Sequence, residues 1–285
     1  MKKIQVKNWV GRAKMTSKVD RDSDEINGNI WQILGTPLFG GETSRVLNII
    51  REKFDSGMKK YWIATVNPEF VMEAEKDAKF KEILKKTDLN VVDGIGLIWA
   101  RETKKSGGNK WLNGFKIGTK ILKGEYRNQV VSGADLMADL AQVAAEKKLK
   151  MFFLGGFGKR AWKSAKYFQN KFGLKDSQIA WSEGEPNIKN EEVLKQINKF
   201  KPDILLVAYG MKKQELWIDN NLDNLNVGVV MGVGRSFDYY SGELKRAPKK
   251  WQKIGLEWLY SLIKEPKRLK RQLVLPKFVW KVLTK

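Results

Sequence analysis

The chain offers few side chains that can act as a general base. Its 285 residues contain neither cysteine nor histidine, which excludes thiolate nucleophiles, zinc-thiolate sites and histidine-containing triads. Proton transfer must therefore use Asp or Glu, or less favourably Lys or Tyr. Asp93 is the best candidate by position, because it ends an apolar run and is followed by Gly94 and Gly96. An Asp at this place can equally cap the next helix, and the sequence leaves both roles open.

Polar side chains end two further apolar runs. Thr65 and Asn67 follow the first strong strand pattern, where they can hydrogen-bond a sugar or position the base. Asn followed by Pro is also an ordinary turn and helix-start signal. Gln214 and Glu215 lie at the start of a helix after another strand pattern, and a Glu in a first turn needs no functional explanation.

Two glycine-containing loops invite a nucleotide-binding interpretation. In Gly232–Asp238, Gly234 is a candidate substrate-binding residue. Asp238 can accept from a ribose hydroxyl or simply form a turn. The loop Leu154–Lys159 reads LGGFGK and lacks both the full GxGxxG and the GKS/T ending. A tight strand-to-helix turn is the favoured interpretation there, although an open helix N-terminus can hold a diphosphate.

Apolar runs alternate with longer amphipathic segments along most of the chain. Gly158–Phe172, for example, carries one apolar stripe at helical spacing. The alternation predicts an α/β fold that is Rossmann-like, with a mostly parallel sheet and helices on both faces. Ligands of such sheets bind outside the carboxyl ends of the strands. The predicted strands are Tyr61–Asn67, Leu89–Asp93, Gln129–Ser132, Lys150–Leu154, Gln178–Trp181, Asp203–Ala208 and Val227–Met231.

The chain is strongly basic, with 54 Lys and Arg residues against 32 Asp and Glu residues and a net charge of +22. Such an excess is typical of proteins that meet nucleic acid, an anionic membrane or phosphorylated substrates. A Lys-rich composition can also reflect a solvated surface. Here, however, the basic residues concentrate in residues 245–285.

This basic segment divides at Pro266 into two amphipathic pieces. The first gathers apolar side chains such as Trp251 and Trp258 on one side. In the second, Arg268 and Arg271 fall on one face and can clamp a diphosphate together. Trp interleaved with Lys favours a helix that lies in a membrane interface. The alternatives are a terminal helix packed on its own domain and a contact with nucleic acid.

The N-terminal sequence shows no signal peptide, and no later stretch approaches the ~20 apolar residues that span a bilayer. Residues 1–29 are polar and aperiodic, which predicts a poorly ordered lead-in. We therefore expect a protein that is cytosolic or peripheral on a membrane.

Ten short motifs follow one another in a specific order from about Ile30 onwards. They are TxNP, DGxG, SGADL, FLGG, KPDILLVAYG, KQExWI, GVGxxFD, RAP, LEWLY and EPKR. Taken in this order, the motifs resemble the WecG/TagA/CpsF glycosyltransferase family, although no single motif would suffice.

The resemblance implies a bacterial enzyme that moves an N-acetylmannosamine-type sugar from a UDP donor to a polyprenyl-diphosphate-linked amino sugar. Such enzymes serve cell-wall teichoic acid, common-antigen or capsule synthesis. The family's proposed base corresponds to Asp93, and its active-site Thr and Gln correspond to Thr65 and Gln214. Its members are inverting hexosyltransferases that are thought to need no metal, and no other cofactor is expected. The predicted substrate-binding residues are Asn67, Gly234, Asp238, Arg246, Arg268 and Arg271.

Residue chemistry and resemblance agree on one mechanism, in which Asp93 deprotonates an acceptor hydroxyl that displaces UDP in a single inverting step. Residues 30–241 are predicted to form the glycosyltransferase domain, and residues 242–285 a basic, membrane-associating appendage. The expected partners are a UDP-sugar, a lipid-diphosphate-linked acceptor and an anionic membrane surface, without nucleic acid. A homo-oligomer stays open. The competing hypotheses are an inactive relative that binds UDP-sugars and a basic nucleic-acid-binding protein, for which no recognisable module is present.

Three positions depart from the family pattern. The Arg usually found before V-x-G in the SGADL region is Val130, with Arg127 as the nearest substitute. The Arg expected after LEWLY is Ser261, and the Pro of GxPKQE is Lys212. A polar, glycine-containing insertion around Lys104–Arg127 precedes the first of these. The departures bear on the donor sugar and on catalytic efficiency more than on the fold. The missing arginines are the reason for the hypothesis of an inactive relative that binds UDP-sugars.

Overall fold

A computed structural model of the chain describes residues 29–183 and 191–285. The predicted lead-in of residues 1–29 lies outside the described residues, apart from Asn29. Eight strands form one sheet in the described residues: β1 (Ile30–Ile33), β2 (Thr36–Phe39), β3 (Tyr61–Val66), β4 (Leu89–Val92), β5 (Met151–Gly155), β6 (Ile179–Ser182), β7 (Ile204–Ala208) and β8 (Val229–Gly232).

The order across the sheet is β1-β2-β4-β3-β8-β7-β5-β6. Strand β1 is antiparallel to β2, and the remaining neighbours run parallel. The pairing of β3 with β8 joins the first half of the chain to the second. Since parallel strands bring their carboxyl ends to one edge, this sheet gathers loops from both halves at that edge.

Helices cover both faces of the sheet, which confirms the predicted fold class. In β3, Tyr61 and Ile63 belong to one apolar cluster, whereas Trp62 and Ala64 belong to clusters on the opposite face. Alternate side chains of a strand lie on opposite faces, so both faces of this sheet are buried. The helices are α1 (Thr43–Asp55), α2 (Pro68–Ala74), α3 (Ala78–Lys86), α4 (Ile95–Lys105), α5 (Lys110–Leu122), α6 (Gly133–Lys147), α7 (Arg160–Phe172), α8 (Glu191–Phe200), α9 (Lys213–Asn221), α10 (Ser236–Tyr240), α11 (Lys249–Lys253), α12 (Glu257–Lys264), α13 (Leu269–Gln272) and α14 (Val274–Thr284).

Six of the seven predicted strands are confirmed to within two residues at each end. The prediction of a strand over Gln129–Ser132 is wrong. A 3-10 turn occupies Arg127–Gln129, and Val131 then donates a backbone hydrogen bond to the Val92 carbonyl at 2.9 Å. The apolar pair at Val130 and Val131 is buried as an extended linker beside β4 without joining the ladder.

Strands β1 and β2 form a short hairpin that the sequence pattern did not predict. Leu34 and Gly35 connect them, both with positive φ, and Leu34 is an unusual residue type for such a turn. Pro37 lies within β2, where proline weakens the strand signal because it cannot donate to a ladder.

The segment predicted as a polar insertion around Lys104–Arg127 forms helix α5 and packs against α4. Asn109 caps α5, because its Oδ1 accepts from the backbone N–H groups of Trp111 and Leu112 at 2.9 and 3.2 Å. The Trp99 indole donates to the Gly114 carbonyl at 2.8 Å. A Cβ on Gly114 would lie 2.9 Å from the Trp99 ring, so glycine permits this close approach.

Residues 242–285 form a series of short helices that pack on the α/β core. In α14, Phe278 and Val282 are buried against the apolar cluster that includes α2 residues. Lys281 and Lys285 each lie 3.0 Å from the Glu75 carboxylate at the end of α2. The packed-helix alternative therefore holds for one side of this segment.

Candidate active site

A cavity of about 1290 Å³ opens along the carboxyl ends of β4, β3, β8, β7 and β5. The predicted residues that line it are Asn67, Thr65, Asp93, Gln214, Gly234, Asp238 and Arg271. They come from distant parts of the sequence, and the sheet brings them together. The predicted common site for Asp93, Thr65, Gln214 and Asp238 is present as one hollow.

Asp93 follows β4 directly, and its backbone N–H donates to the Val66 carbonyl at 2.7 Å. Gly94, with φ of +141°, then turns the chain into α4 and is the N-cap residue of that helix. No side chain caps α4. The capping role that the sequence left open for Asp93 is therefore not used, and Asp93 lines the cavity.

The pKa of Asp93 is raised to about 7. Burial of the carboxyl is the main cause, and the negative charge of Glu257 adds to it. Arg246, the Gly133 backbone N–H and Arg127 act in the opposite direction but do not outweigh burial. A carboxyl group whose pKa lies near neutral pH is well matched to general base catalysis.

Thr65 holds the junction between β3 and β8. Its side chain is buried, and its hydroxyl donates to the Gly232 carbonyl at 3.1 Å. A Cβ on Gly133, at the start of α6, would lie 3.0 Å from the Thr65 methyl group. The hydroxyl is thus anchored to the backbone of the neighbouring strand, which fixes how the two halves of the cavity meet.

Asn67 is the N-cap residue of α2. Its Oδ1 accepts from the backbone N–H groups of Glu69 and Phe70 at 2.9 and 3.2 Å. The helix-start alternative is therefore confirmed for its side-chain oxygen. Asn67 also lines the cavity, so the same residue shapes the wall beside Asp93.

Gln214 is buried and held in one orientation by two hydrogen bonds. Its Nε2 donates to Glu215 Oε1 at 2.7 Å, and its Oε1 accepts from the Gly234 N–H at 2.9 Å. Glu215 Oε2 in turn accepts from the Lys212 N–H at 2.9 Å. Burial raises the pKa of Glu215 to about 7. Gly234 therefore orients Gln214 through its backbone N–H, and its contact with substrate stays a prediction.

Glu215 is a functional candidate that the sequence argument missed. It does cap the first turn of α9, but it also fixes the Gln214 amide. A Cβ on Gly232 would lie 2.5 Å from Gln214 Nε2 and 2.7 Å from Glu215 Oε1. The glycine that ends β8 is the sequence signal for this packing, because only glycine leaves room for both side chains.

Asp238 lies in the first turn of α10 next to two arginines. Arg160 Nη1 is 3.0 Å from Asp238 Oδ1, and Arg235 Nε is 4.0 Å from Oδ2. Burial raises the pKa of Asp238, while both arginines act to lower it. Arg235 also pairs with Glu265 in the C-terminal segment. Neither arginine was predicted, although Arg160 directly follows the loop Leu154–Lys159 and Arg235 lies within Gly232–Asp238.

The loop Leu154–Lys159 is a tight turn, as the favoured interpretation held. Gly155, Gly156 and Gly158 all have positive φ, which favours glycine at each position. Arg160 begins α7 immediately afterwards and reaches the cavity. The turn therefore brings a cation to the cavity, while Gly156 and Gly158 line it as well, and diphosphate binding at this helix N-terminus stays a prediction.

Tyr209 lines the same side of the cavity, after β7. Its ring lies close to Gly155, where a Cβ would be 2.7 Å from two ring carbons. The hydroxyl is buried and has no hydrogen-bond partner among the residues that the structure describes. A buried hydroxyl of this kind is a group that a bound ligand can satisfy.

The structure places Arg246 outside the set of residues that line the cavity, against the prediction of a substrate contact. Its guanidinium donates to Ser132 Oγ, Asp135 Oδ2 and Glu257 Oε1, each at 2.9 Å. Each of its three guanidinium nitrogens thus donates to the protein, since Nη1 also bonds Asp135. We therefore interpret Arg246 as a brace between α6 and α12 that lies within electrostatic range of Asp93.

The structure describes the side chain of one of the two predicted tail arginines, Arg271, and not that of Arg268. Arg271 lines the cavity, is half exposed, and donates through Nε to the Glu69 carboxylate of α2. Arg268 ends the turn Pro266–Arg268, and its side chain lies outside the described part of the structure. Their joint clamp on a diphosphate stays a prediction.

Two of the positions that depart from the family pattern, Val130 and Ser261, line the cavity. Arg127 lines it as well and is close enough to lower the pKa of Asp93. A cation is thus available near the place where Val130 lacks one, as the sequence suggested.

Lys212 replaces the expected Pro and has a φ of +70°, a value that proline cannot adopt. Its Nζ lies 2.6 Å from Glu73 and 2.9 Å from Asp77. The substitution therefore comes with a different backbone and with an ion-pair anchor between the start of α9 and helices α2 and α3.

Comparison with known proteins agrees with this geometry. The family model described as "Glycosyl transferase WecG/TagA/CpsF family" matches residues 31–124 and 113–285. The chain belongs to this family. The two matched segments overlap at residues 113–124, which include most of α5, the helix that the sequence presented as an insertion.

Two similar relatives both carry the name N-acetylglucosaminyldiphosphoundecaprenol N-acetyl-beta-D-mannosaminyltransferase. The relative from Bacillus spizizenii is 31% identical over 228 residues, which cover 79% of each chain. A relative from Staphylococcus aureus is 28% identical over 221 residues, covering 78% of this chain and 79% of its own.

The described residues contain neither a membrane-spanning helix nor a cluster of metal-ligating side chains. No helix there combines the length and the apolar character needed to cross a membrane. Within the same ranges, no three acidic side chains are grouped in a way that would hold a metal ion. Metal independence of the reaction stays a prediction.

Proposed function

We propose that this protein transfers an N-acetylmannosamine-type sugar from a UDP donor to a polyprenyl-diphosphate-linked amino sugar, with inversion, in cell-wall or surface polysaccharide synthesis. The names of its relatives support the sugar and the acceptor. The observation that carries the proposal is the placement of Asp93, with a pKa near 7, in one cavity with Gln214 and Asp238.

The donor nucleotide is assigned to the β5, β7 and β8 side of the cavity. Tyr209 offers a buried hydroxyl there, and the Asp238 carboxylate can accept from ribose hydroxyls. Arg160 and Arg235 flank Asp238 and supply positive charge for the diphosphate. Gln214 lies between this side and Asp93, which suits contact with the sugar.

The acceptor is assigned to the β4 side, next to Asp93. Arg127 and Arg271 line the cavity there and can meet the diphosphate of the acceptor. Phe115 and Leu275 line the same side and provide apolar surface where a polyprenyl chain would leave. The cavity is large for one nucleotide sugar alone, and ligand sites are commonly ~300–1,000 Å³.

The reaction then needs one base. The acceptor hydroxyl oxygen forms a bond to the anomeric carbon, and the bond from that carbon to the donor diphosphate breaks. Asp93 takes the hydroxyl proton, and UDP leaves with the electron pair. Single displacement inverts the anomeric configuration. Arginines beside the two diphosphates would neutralise the charge that develops, without a divalent ion.

The first test is transfer of a radiolabelled sugar from the UDP donor to a short-chain lipid-diphosphate acceptor, with and without EDTA. Asp93→Asn should lower turnover by about 10²-fold or more, because general base catalysis contributes this much, while UDP binding persists. Asp139→Asn is the matched control, since Asp139 also has a pKa raised by burial but does not line the cavity.

Unchanged turnover in Asp93→Asn would remove Asp93 from the role of base. Binding of the UDP-sugar without transfer by the wild-type protein would instead support an inactive relative. Loss of transfer with EDTA would refute metal independence.

Delivery of a lipid-linked acceptor also implies a location. We propose that the protein is cytoplasmic and works as a peripheral protein on the inner face of the membrane. Exposed apolar residues of the C-terminal helices, including Ile263 and Trp280, support this assignment. Retention on anionic liposomes, compared with retention on an RNA column, separates it from the nucleic-acid hypothesis.

A further inference from the structure

Helix α5 has two apolar faces, and the domain covers one of them. Gly114, Ile117 and Ile121 are buried against the protein. We define the α5 stripe as the exposed apolar residues of this helix: Trp111 (54% exposed), Leu112 (52%), Phe115 (73%) and Leu122 (54%). A helix that only packs on its own domain shows a polar outer side. The α5 stripe is therefore a surface that suits an apolar partner.

The α5 stripe continues into α14. The rings of Trp111 and Trp280 meet edge to face, with centroids 5.7 Å apart. Trp280 is itself 61% exposed. Two helices from distant parts of the sequence thus present aromatic rings on one surface.

The same surface borders the cavity mouth. Phe115 and Leu122 of the stripe are exposed and also line the cavity, as does Val279 of α14. An apolar ligand that leaves the cavity on this side therefore passes directly from these lining residues onto the α5 stripe.

Charge identifies the partner. Lys116, Lys120 and Lys123 are exposed along α5, and residues 103–124 contain no Asp or Glu. A second copy of this chain would bring another basic surface against the first, which like charges oppose. An anionic bilayer satisfies both the lysines and the apolar side chains, since interfacial helices combine these features.

We propose that the α5 stripe, together with Trp280, inserts into the interface of an anionic bilayer and holds the cavity mouth against it. This goes beyond the C-terminal segment as the membrane contact, because α5 lies in the middle of the chain. The inference rests on the proposed function only in one respect, namely that the cavity takes a lipid-linked acceptor from the membrane. Membrane binding itself is measured separately.

The test is sedimentation of the full-length protein with phosphatidylcholine vesicles that contain or lack phosphatidylglycerol. Trp111→Ser with Leu112→Ser should weaken binding to anionic vesicles by about tenfold or more, because two exposed apolar side chains lose their burial. Neither residue lines the cavity. Trp181→Ser on β6 is the matched control, with a Trp that is 39% exposed at the far edge of the sheet.

A second variant tests charge without touching apolar packing. Lys116→Glu with Lys120→Glu should weaken the preference for anionic over neutral vesicles and reduce the salt dependence of binding, although the basic residues of the C-terminal segment remain. Thermal melting and UDP binding of each variant should match the wild type, which confirms that the fold is intact.

The proposal is overturned if the Trp111 and Leu112 variant binds vesicles like the wild type. It is equally overturned if that variant disrupts a dimer, or RNA binding, while vesicle binding stays unchanged. Transfer to a soluble short-chain acceptor separates the two proposals: activity there should survive in the variant, and transfer to a vesicle-embedded acceptor should fall. Vesicle binding that requires α5 in a protein without any transfer would support this inference and refute the proposed function.

Discussion

Replacing Asp93 with Asn is expected to remove sugar transfer and, at the same time, to stabilise the folded protein above neutral pH. Asn has nearly the same shape as Asp and carries no charge to bury. The pKa of Asp93 rises from an ordinary 3.8 to about 7 because the folded protein disfavours the ionised form. A carboxyl group with a raised pKa costs folding stability, and that cost grows as the pH rises from 3.8 towards 7.

The size of the cost follows from the two pKa values. The difference between 3.8 and about 7 is about 3 pH units, and each unit corresponds to about 1.4 kcal/mol, so the upper bound is about 4 kcal/mol. For a protein of this size, each kcal/mol moves the melting temperature by roughly 2 °C. Asp93→Asn should therefore melt up to roughly 8 °C above the wild type near pH 8, with a much smaller gain near pH 5.

The assay compares melting curves of wild type and variant across this pH range. Glu215 also has a raised pKa near 7, but it is present in both proteins, so its contribution cancels in the difference. A melting difference that does not grow with pH would refute the argument that the Asp93 carboxyl is desolvated. The wild-type kcat/KM should in addition rise about tenfold per pH unit below 7 and then level off, because the base must be ionised.

Two further changes test how the site is held together. Gly232→Ala should lower kcat by about 10²-fold, because the new Cβ displaces the Gln214 amide by contact with its Nε2. The control is Gly118→Ala, which has open space around its Cβ and should leave the melting temperature unchanged or raised. Normal turnover in Gly232→Ala would exclude a role for Gln214 in positioning the substrate. Glu75→Gln should weaken the attachment of α14 by about 1 kcal/mol or less and speed limited proteolysis there, whereas unchanged proteolysis would show that apolar packing alone holds the helix.

The fold was predictable where a buried element has a strongly apolar sequence pattern. Strands such as β5 and β7 are apolar throughout because both faces of the sheet are covered, and their ends were found within one residue. The hairpin of β1 and β2 was missed because its strands have four residues each and one contains Pro37. The sequence Gln129–Ser132 resembles a strand because it contains the apolar pair Val130 and Val131. Both residues are buried, yet burial alone does not produce a strand pairing.

The site was predictable for residues that end strands, such as Asp93 and Thr65, since topology alone brings strand ends together. Residues that act through a neighbour were not. Glu215 resembles an ordinary first-turn Glu until its bond to Gln214 is seen, and Arg160 becomes relevant only when α7 carries it to Asp238. Arg246 matched a family motif, but its partners occupy it. Motif position shows that a residue matters, and three-dimensional contacts show how.

The pairing of β3 with β8 joins two lengths of chain that supply different parts of the proposed site. The proposed base comes from the first length, and the groups assigned to the donor come from the second. The Thr65 hydroxyl and the Gly232 carbonyl tie them together at 3.1 Å. Sugar transfer would then belong to neither length alone but to their alignment, so slippage at this junction would leave a nucleotide bound beside a base that no longer reaches its substrate.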